Sequence, residues 1–128
     1  MNLLLDTQAL AWWVLADPKL SSQARDAIAD FDNVVFVTAV SIYEMSRKYR
    51  IGKWPEIAPF LSTHEIALEN EGFSLLELNA RAALLAGALP SEHRDPFDRM
   101  IAAQAIIGQL TLITNDAAMG ELGAPTLW

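Results

Sequence analysis

The sequence predicts an α/β fold: one three-layer domain spanning residues 1–128, with a parallel sheet of four to five strands flanked by helices. Short apolar runs too brief for helices recur along the chain, at Asn2–Leu5, Val34–Val37 and Thr111–Ile113. Stretches with helix-start and helix-stop residues separate them. The strands are apolar almost throughout rather than alternating, as expected where helices cover both faces of a sheet.

Asn2–Leu5 opens the chain as a buried strand, and Thr7–Leu15 follows as a helix bounded by Pro18. Ser21 or Ser22 caps a second helix running to about Asp30, and Asn33 turns the chain into the β-branched strand Val34–Val37. Thr38 caps a helix that continues to about Arg50 and stops at Gly52. Pro55 opens a helical stretch that breaks near Ser62 and ends at Gly72; Phe73–Glu77 is a weaker strand. Asn79 caps a short helix ending near Gly87. Asp95 and Pro96 form a cap followed by proline at the first helical position, starting a helix to Gly108. Thr111–Ile113 is the fourth strand and Pro125–Leu127 a candidate fifth.

With 128 residues, 52% of them hydrophobic and 20% charged, the chain can bury a sizeable core. It contains no cysteine, which excludes disulfides, thiolate metal sites and cysteine nucleophiles. Its two histidines, His64 and His93, are too few for a histidine-rich site, so any metal must be held by oxygen. The formal charge of −7 argues against non-specific adhesion to nucleic acid, but bound cations can reverse the sign locally. The apolar stretch Ala82–Leu89 falls far short of the roughly 20 residues a membrane span needs, and no basic leader precedes Asp6. A soluble, cytoplasmic protein without membrane association is expected.

Open parallel sheets bind ligands beyond the carboxyl ends of their strands. Asp6 directly follows the first strand and Asp116 the fourth. Glu44 lies six residues past Thr38, about 9 Å along its helix, and so stays near the same edge. Asp98 stands in the first turn of the Pro96 helix. Gathered carboxylates repel one another; Mg²⁺ or Mn²⁺ relieves the repulsion and takes oxygen ligands by preference. Such an ion supports phosphodiester hydrolysis.

Each residue also has a plainer reading. Asp6 and Asp116 suit helix caps, Asp98 suits a helix-dipole acid, and Glu44 suits an i,i+4 pair with Lys48. Asp95 fits a cap better than a ligand. Thr7, Asp95, Thr114 and Asn115 are candidates to orient ligands by hydrogen bonds. Arg47, Lys48, Arg50 and Lys53 read equally as a solvated helix end or as a phosphate-contacting patch. Arg94 and Arg99 are placed either to clamp phosphate or to neutralise the acids beside them. His93 reads as a loop residue and His64 as a surface one. Of the adjacent Trp12 and Trp13, one belongs in the core and the other suits a surface groove.

The order of motifs resembles the PIN-domain family, and within it the VapC-type toxins of type II toxin–antitoxin systems. The matching segments are Leu3–Thr7, Ser41–Glu44, Lys48–Lys53, His93–Arg99, Ile101–Ala105 and Thr114–Asp116. The resemblance implies strand order 3-2-1-4-5 and Mg²⁺-dependent endoribonuclease activity, with Asp6, Glu44, Asp98 and Asp116 as the metal-holding catalytic acids and metal-activated water as the attacking group. It also implies RNA as substrate, a cognate antitoxin and a homodimer. Two rival functions remain. One is a phosphoacceptor receiver domain, but Asp6 has no acidic neighbour and no lysine follows Lys53. The other is a PIN-fold RNA- or protein-binding module without catalysis. If clustered charge dominates at Asp116, Asp116→Asn should raise the melting temperature of the metal-free protein.

Overall fold

A computed structural model describes all residues, Met1–Trp128. Five parallel strands lie in the order β3-β2-β1-β4-β5: β1 Asn2–Leu5, β2 Val34–Thr38, β3 Ser74–Leu76, β4 Thr111–Ile113 and β5 Thr126–Leu127. The helices are α1 Thr7–Val14, α2 Ser22–Ala29, α3 Ala39–Arg50, α4 Ala58–Glu71, α5 Ala80–Ala88, α6 Pro96–Gly108 and α7 Ala117–Glu121. A single 3-10 turn, Pro55–Ile57, precedes α4. The fold class and strand order match the sequence reading.

Strand periodicity divides the core. Leu3 and Leu5 of β1 face one side, with Val35, Val37 and Ile113, and pack on Leu10, Ala24, Ile28, Phe60 and Leu68. Leu4 and Leu112 face the other side and pack on Ile101, Ala102, Ala105 and Met119. All three β1 leucines have no exposed surface. Burying each contributes about 1.5–3 kcal/mol relative to exposure, so β1 is an anchored platform for the residue that follows it. No helix is long and apolar enough to cross a membrane.

Several boundaries carry physical detail. The predicted break in α4 is at Thr63, whose backbone leaves the helical region (φ −132°, ψ 20°). Its hydroxyl instead donates to Pro59 O at 2.8 Å. The helix α6 ends at Gly108, as the sequence predicts. Gln109, not glycine, takes the left-handed cap at φ 54°. Gly108 serves another need: a Cβ there would sit 3.0 Å from Leu110 Cγ. The one element that pattern reading did not delimit is α7, only five residues long.

Candidate active site

Asp6 is carried by the buried end of β1, and its backbone N–H donates to Ile113 O of β4 at 3.1 Å. Its Oδ1 accepts from Ala9 N at 2.7 Å, capping α1. The capping and site readings of Asp6 are therefore compatible, since one oxygen serves the cap. Burial pushes the Asp6 carboxyl up from 3.8 to about 6. Hydrogen bonds from the Thr114 side chain and Ala9 N–H pull it down, while the negative charges of Asp98 and Glu44 push it further up.

Glu44 is buried on α3, facing α1. Its Oε1 accepts from Thr7 Oγ1 at 2.6 Å, and that hydroxyl lies 2.9 Å from Ser41 Oγ. Ser41 is fully buried, one turn before Glu44 on the same helix face. The three side chains form a hydrogen-bonded chain linking α1 to α3. Sequence reading had Thr7 as an orienting residue but missed Ser41, although its i,i+3 spacing from Glu44 was available as a signal. Lys48 Nζ lies 3.5 Å from Glu44 Oε2 and 5.0 Å from the Trp54 ring centroid.

Asp98, in the first turn of α6, is half-buried. Burial raises its carboxyl above the ordinary value; a hydrogen bond to His93 lowers it, Asp95 raises it, the His93 charge lowers it and Glu44 raises it. His93 Nε2 stands 2.8 Å from Asp98 Oδ2. The loop histidine is thus a partner of an acid, a role its sequence position alone did not reveal. Asp95 caps α6, accepting from Phe97 N at 2.8 Å and Asp98 N at 3.2 Å.

Asp6, Glu44 and Asp98 come from different elements, yet the charges of Asp98 and Glu44 act on Asp6 and that of Glu44 acts on Asp98. Asp116 is set apart. It is exposed, and its Oδ1 accepts from Ala118 N at 2.9 Å to cap α7. Thr114 Oγ1 accepts from Asp116 N at 3.1 Å, which ties Thr114 to both acids. Asn115 is exposed. The acids share an edge but do not close on one point: no group of three His, Asp or Glu side chains is placed to hold a single ion directly. The capping demand at Asp116 fixes its carboxylate on its own helix.

The basic residues divide. Arg47, Arg50 and Lys53 are exposed and free of ion pairs, and Arg94 is exposed beside Pro96. Lys48 is committed to Glu44. Arg99 corrects the phosphate-clamp expectation, because its guanidinium is turned onto the backbone carbonyl of Ala86 in the last turn of α5 and those of Leu89, Ser91 and His93 in the α5–α6 connection. Away from this edge, Trp12 is buried against Trp128 at 5.7 Å, whereas Trp13 lies against Phe73 and lines an open cleft of about 390 Å³ with Pro59, Phe60 and Thr63. His64 is half-buried, with Nδ1 3.1 Å from Leu61 O.

Comparison with known proteins adds a second line of observation. A family model described as the PIN domain matches residues 3–124. Ribonuclease VapC22 of Mycobacterium tuberculosis (strain ATCC 25618 / H37Rv) is 30% identical over 131 residues, covering 99% of this chain and 98% of that protein. The crystal structure of VapBC2 from Rickettsia felis, bound to a DNA fragment from its promoter, superposes with a TM-score of 0.74 at 19% identity, covering 99% of this chain and 98% of the other. VapBC-5 from Mycobacterium tuberculosis, a member of the VapBC family of toxin-antitoxin systems, superposes with a TM-score of 0.60 at 21% identity, covering 98% and 95%. The solved structures carry the fold likeness; the sequence relative carries the likeness of the whole chain.

Proposed function

Since the chain belongs to the PIN-domain family, we propose that it is a metal-dependent endoribonuclease of the VapC type, the cytoplasmic toxin of a toxin–antitoxin pair. The observation that carries the reading is the gathering of acids from separate elements at the carboxyl edge of the sheet: Asp6 at the end of β1, with Glu44 of α3 and Asp98 of α6 near enough for their charges to act on it. A fold does not need to bring three acids from distant segments together; a cation-assisted reaction does. The near-full-length likeness to a protein named a ribonuclease supports the same class.

The donor set suits Mg²⁺, or Mn²⁺, because it consists of carboxylate oxygens, and burial raises the proton affinity of two of the carboxyls, Asp6 and Asp98. Mg²⁺ usually keeps several waters and needs only one or two protein carboxylates. That habit matches acids that share an edge without forming a closed cage. Asp6, Glu44 and Asp98 would hold the ion, with Asp116 at the rim. Bound, it supplies charge neutralisation among the acids and Lewis-acid polarisation of the scissile phosphate.

The chain's own residues do the rest. Thr7 and Ser41 fix the Glu44 carboxylate, and His93 fixes that of Asp98. Arg47, Arg50 and Lys53 attract the RNA backbone to a protein that is otherwise strongly negative. Water adds to phosphorus, the bond to the 3′-oxygen breaks, and the proton passes to that oxygen, leaving 5′-phosphate and 3′-hydroxyl ends. The cleft beside Trp13 is offered as the antitoxin's seat, and a second copy of the chain as a further partner.

The test is cleavage of defined RNAs with Mg²⁺, Mn²⁺ or chelator, with product ends mapped. Metal-dependent cuts with 5′-phosphate ends, lost in Asp98→Asn, are expected. Undiminished cleavage by Asp98→Asn, or in chelator, overturns the reading.

A further inference from the structure

Arg99 follows Asp98 on α6, yet its guanidinium turns back onto the segment that precedes the helix. Nε donates to Ala86 O at 2.8 Å and Nη2 to Leu89 O at 2.6 Å. Nη1 donates to Ser91 O at 3.2 Å and to His93 O at 2.8 Å. Four of the five N–H groups of the fork are thereby spent on one stretch of backbone. Between α5 and α6 the chain has neither helix nor strand to shape it. Its internal bonds there are Ser91 N to Leu89 O, at 2.9 Å, and His93 N to Ser91 Oγ, at 3.1 Å. The connection from Leu89 to His93 is held chiefly by a side chain that lies beyond it in sequence. At the end of this connection His93 Nε2 meets Asp98 Oδ2 at 2.8 Å.

We infer that Arg99 is a positioning residue: it clasps the α5–α6 connection so that His93 is presented to Asp98 and fixes that carboxylate for the cation. The inference rests on the nuclease reading of Asp98 and adds how its orientation is set. A planar fork can satisfy carbonyls arriving from several directions in one plane, whereas a lysine ammonium offers three donors at a single point. Arg99→Lys keeps the charge and loses the clasp. Partners that orient a metal-holding carboxylate typically change metal affinity by about 10- to 100-fold when removed.

The experiment uses the full chain and Mn²⁺ as probe. Binding is followed by electron paramagnetic resonance, and the side-chain nitrogens of His93 by NMR at one fixed pH. Arg99→Lys and His93→Ala are each expected to weaken Mn²⁺ binding about 10- to 100-fold. The double variant should be no worse than the weaker-binding single one, and neither change should matter further in an Asp98→Asn background. Arg99→Lys should also shift the His93 Nε2 resonance toward its solvent-exposed position. Unchanged Mn²⁺ affinity together with an unchanged His93 resonance overturns the inference. So does a full additional loss in the Asp98→Asn background. If Arg99→Lys fails to fold, His93→Ala, which leaves the clasp intact, decides: unaltered Mn²⁺ affinity overturns the role of His93 and with it that of Arg99. If instead Asp98→Asn itself leaves Mn²⁺ binding and RNA cleavage intact, the nuclease reading is what fails; the His93 resonance in Arg99→Lys then still reports on the clasp, so the two failures separate.

Discussion

The two halves of the candidate site are built by different means. On one side, Asp6, Thr7, Ser41 and Glu44 are all buried and sit on elements anchored in the core. Their polar atoms are tied to one another or to a helix end. On the other side, His93 and Asp98 are half-buried, Asp116 is exposed, and the connecting segment is shaped by a single arginine. The buried half places its charges by packing, at the cost of desolvating Asp6. The open half spends little on desolvation and leaves room for an ion, its waters and a phosphate. This division predicts that changes in the buried half alter both stability and cleavage, whereas changes at the open rim separate the two.

The largest effect is expected from removing charge in the buried half. Asp6→Asn keeps a good cap for α1, since asparagine and aspartate serve that position about equally. Loss of cleavage therefore reports the charge rather than the helix. A fall of about 100- to 1,000-fold is expected in a Mg²⁺-dependent RNA cleavage assay, the scale at which removal of one electrostatic group acts in preorganised sites. Activity within a few-fold of wild type would put the chemistry in the open half alone.

The same substitution should stabilise the metal-free protein. The folded Asp6 carboxyl holds its proton up to about pH 6, against 3.8 ordinarily. Protonation therefore favours the fold: the benefit is full below pH 3.8, fades as pH rises through about 6, and leaves a penalty above that. A rise of this size corresponds to a penalty on the order of 3 kcal/mol above pH 6. Asp98 acts in the same direction. In chelator, the stability gap between Asp6→Asn and wild type should widen between pH 4 and 7, with the variant melting higher at pH 7. A gap that does not change with pH would remove the buried half's cost.

Thr7→Val tests whether the hydroxyl chain matters beyond filling space. It leaves the volume nearly unchanged and removes the donor to Glu44. Hydrogen bonds to charged groups contribute about 1.5–3 kcal/mol, so a melting-temperature loss and a cleavage loss of about 10-fold or more are expected together. Loss of stability without loss of cleavage would reduce the chain to a brace between α1 and α3.

What was legible in the sequence follows the same division. Asp6 and Thr7 were readable because they terminate an apolar strand, and Glu44 because its helix begins at a capped strand end. Local pattern carries those placements, and the strand order came from the likeness of motifs. The open half was harder to read. His93 and Arg99 owe their roles to a loop whose shape depends on contacts across it, and no periodicity encodes such contacts. Asp98 was identified as an acid, but not as the partner of His93. Ser41 shows an intermediate case: its spacing from Glu44 was visible, but its hydroxyl acquires meaning only once α1 is packed against α3.

The smallest effect is expected at Asp116, where the geometry reverses the sequence-based forecast. Were its charge pressed against the other acids, Asp116→Asn would raise the melting temperature. The carboxylate is instead exposed and capping α7. Asparagine caps about as well, so Asp116→Asn should leave the unfolding free energy of the metal-free protein within about 0.5 kcal/mol of wild type. Asp116→Ala, which has no cap, should cost about 1 kcal/mol. Both should fall well short of Asp6→Asn in the pH-dependent stability measurement. A clear rise in melting temperature for Asp116→Asn would place its charge in the field of Asp6 after all, and the rim would then belong to the same electrostatic unit as the buried half.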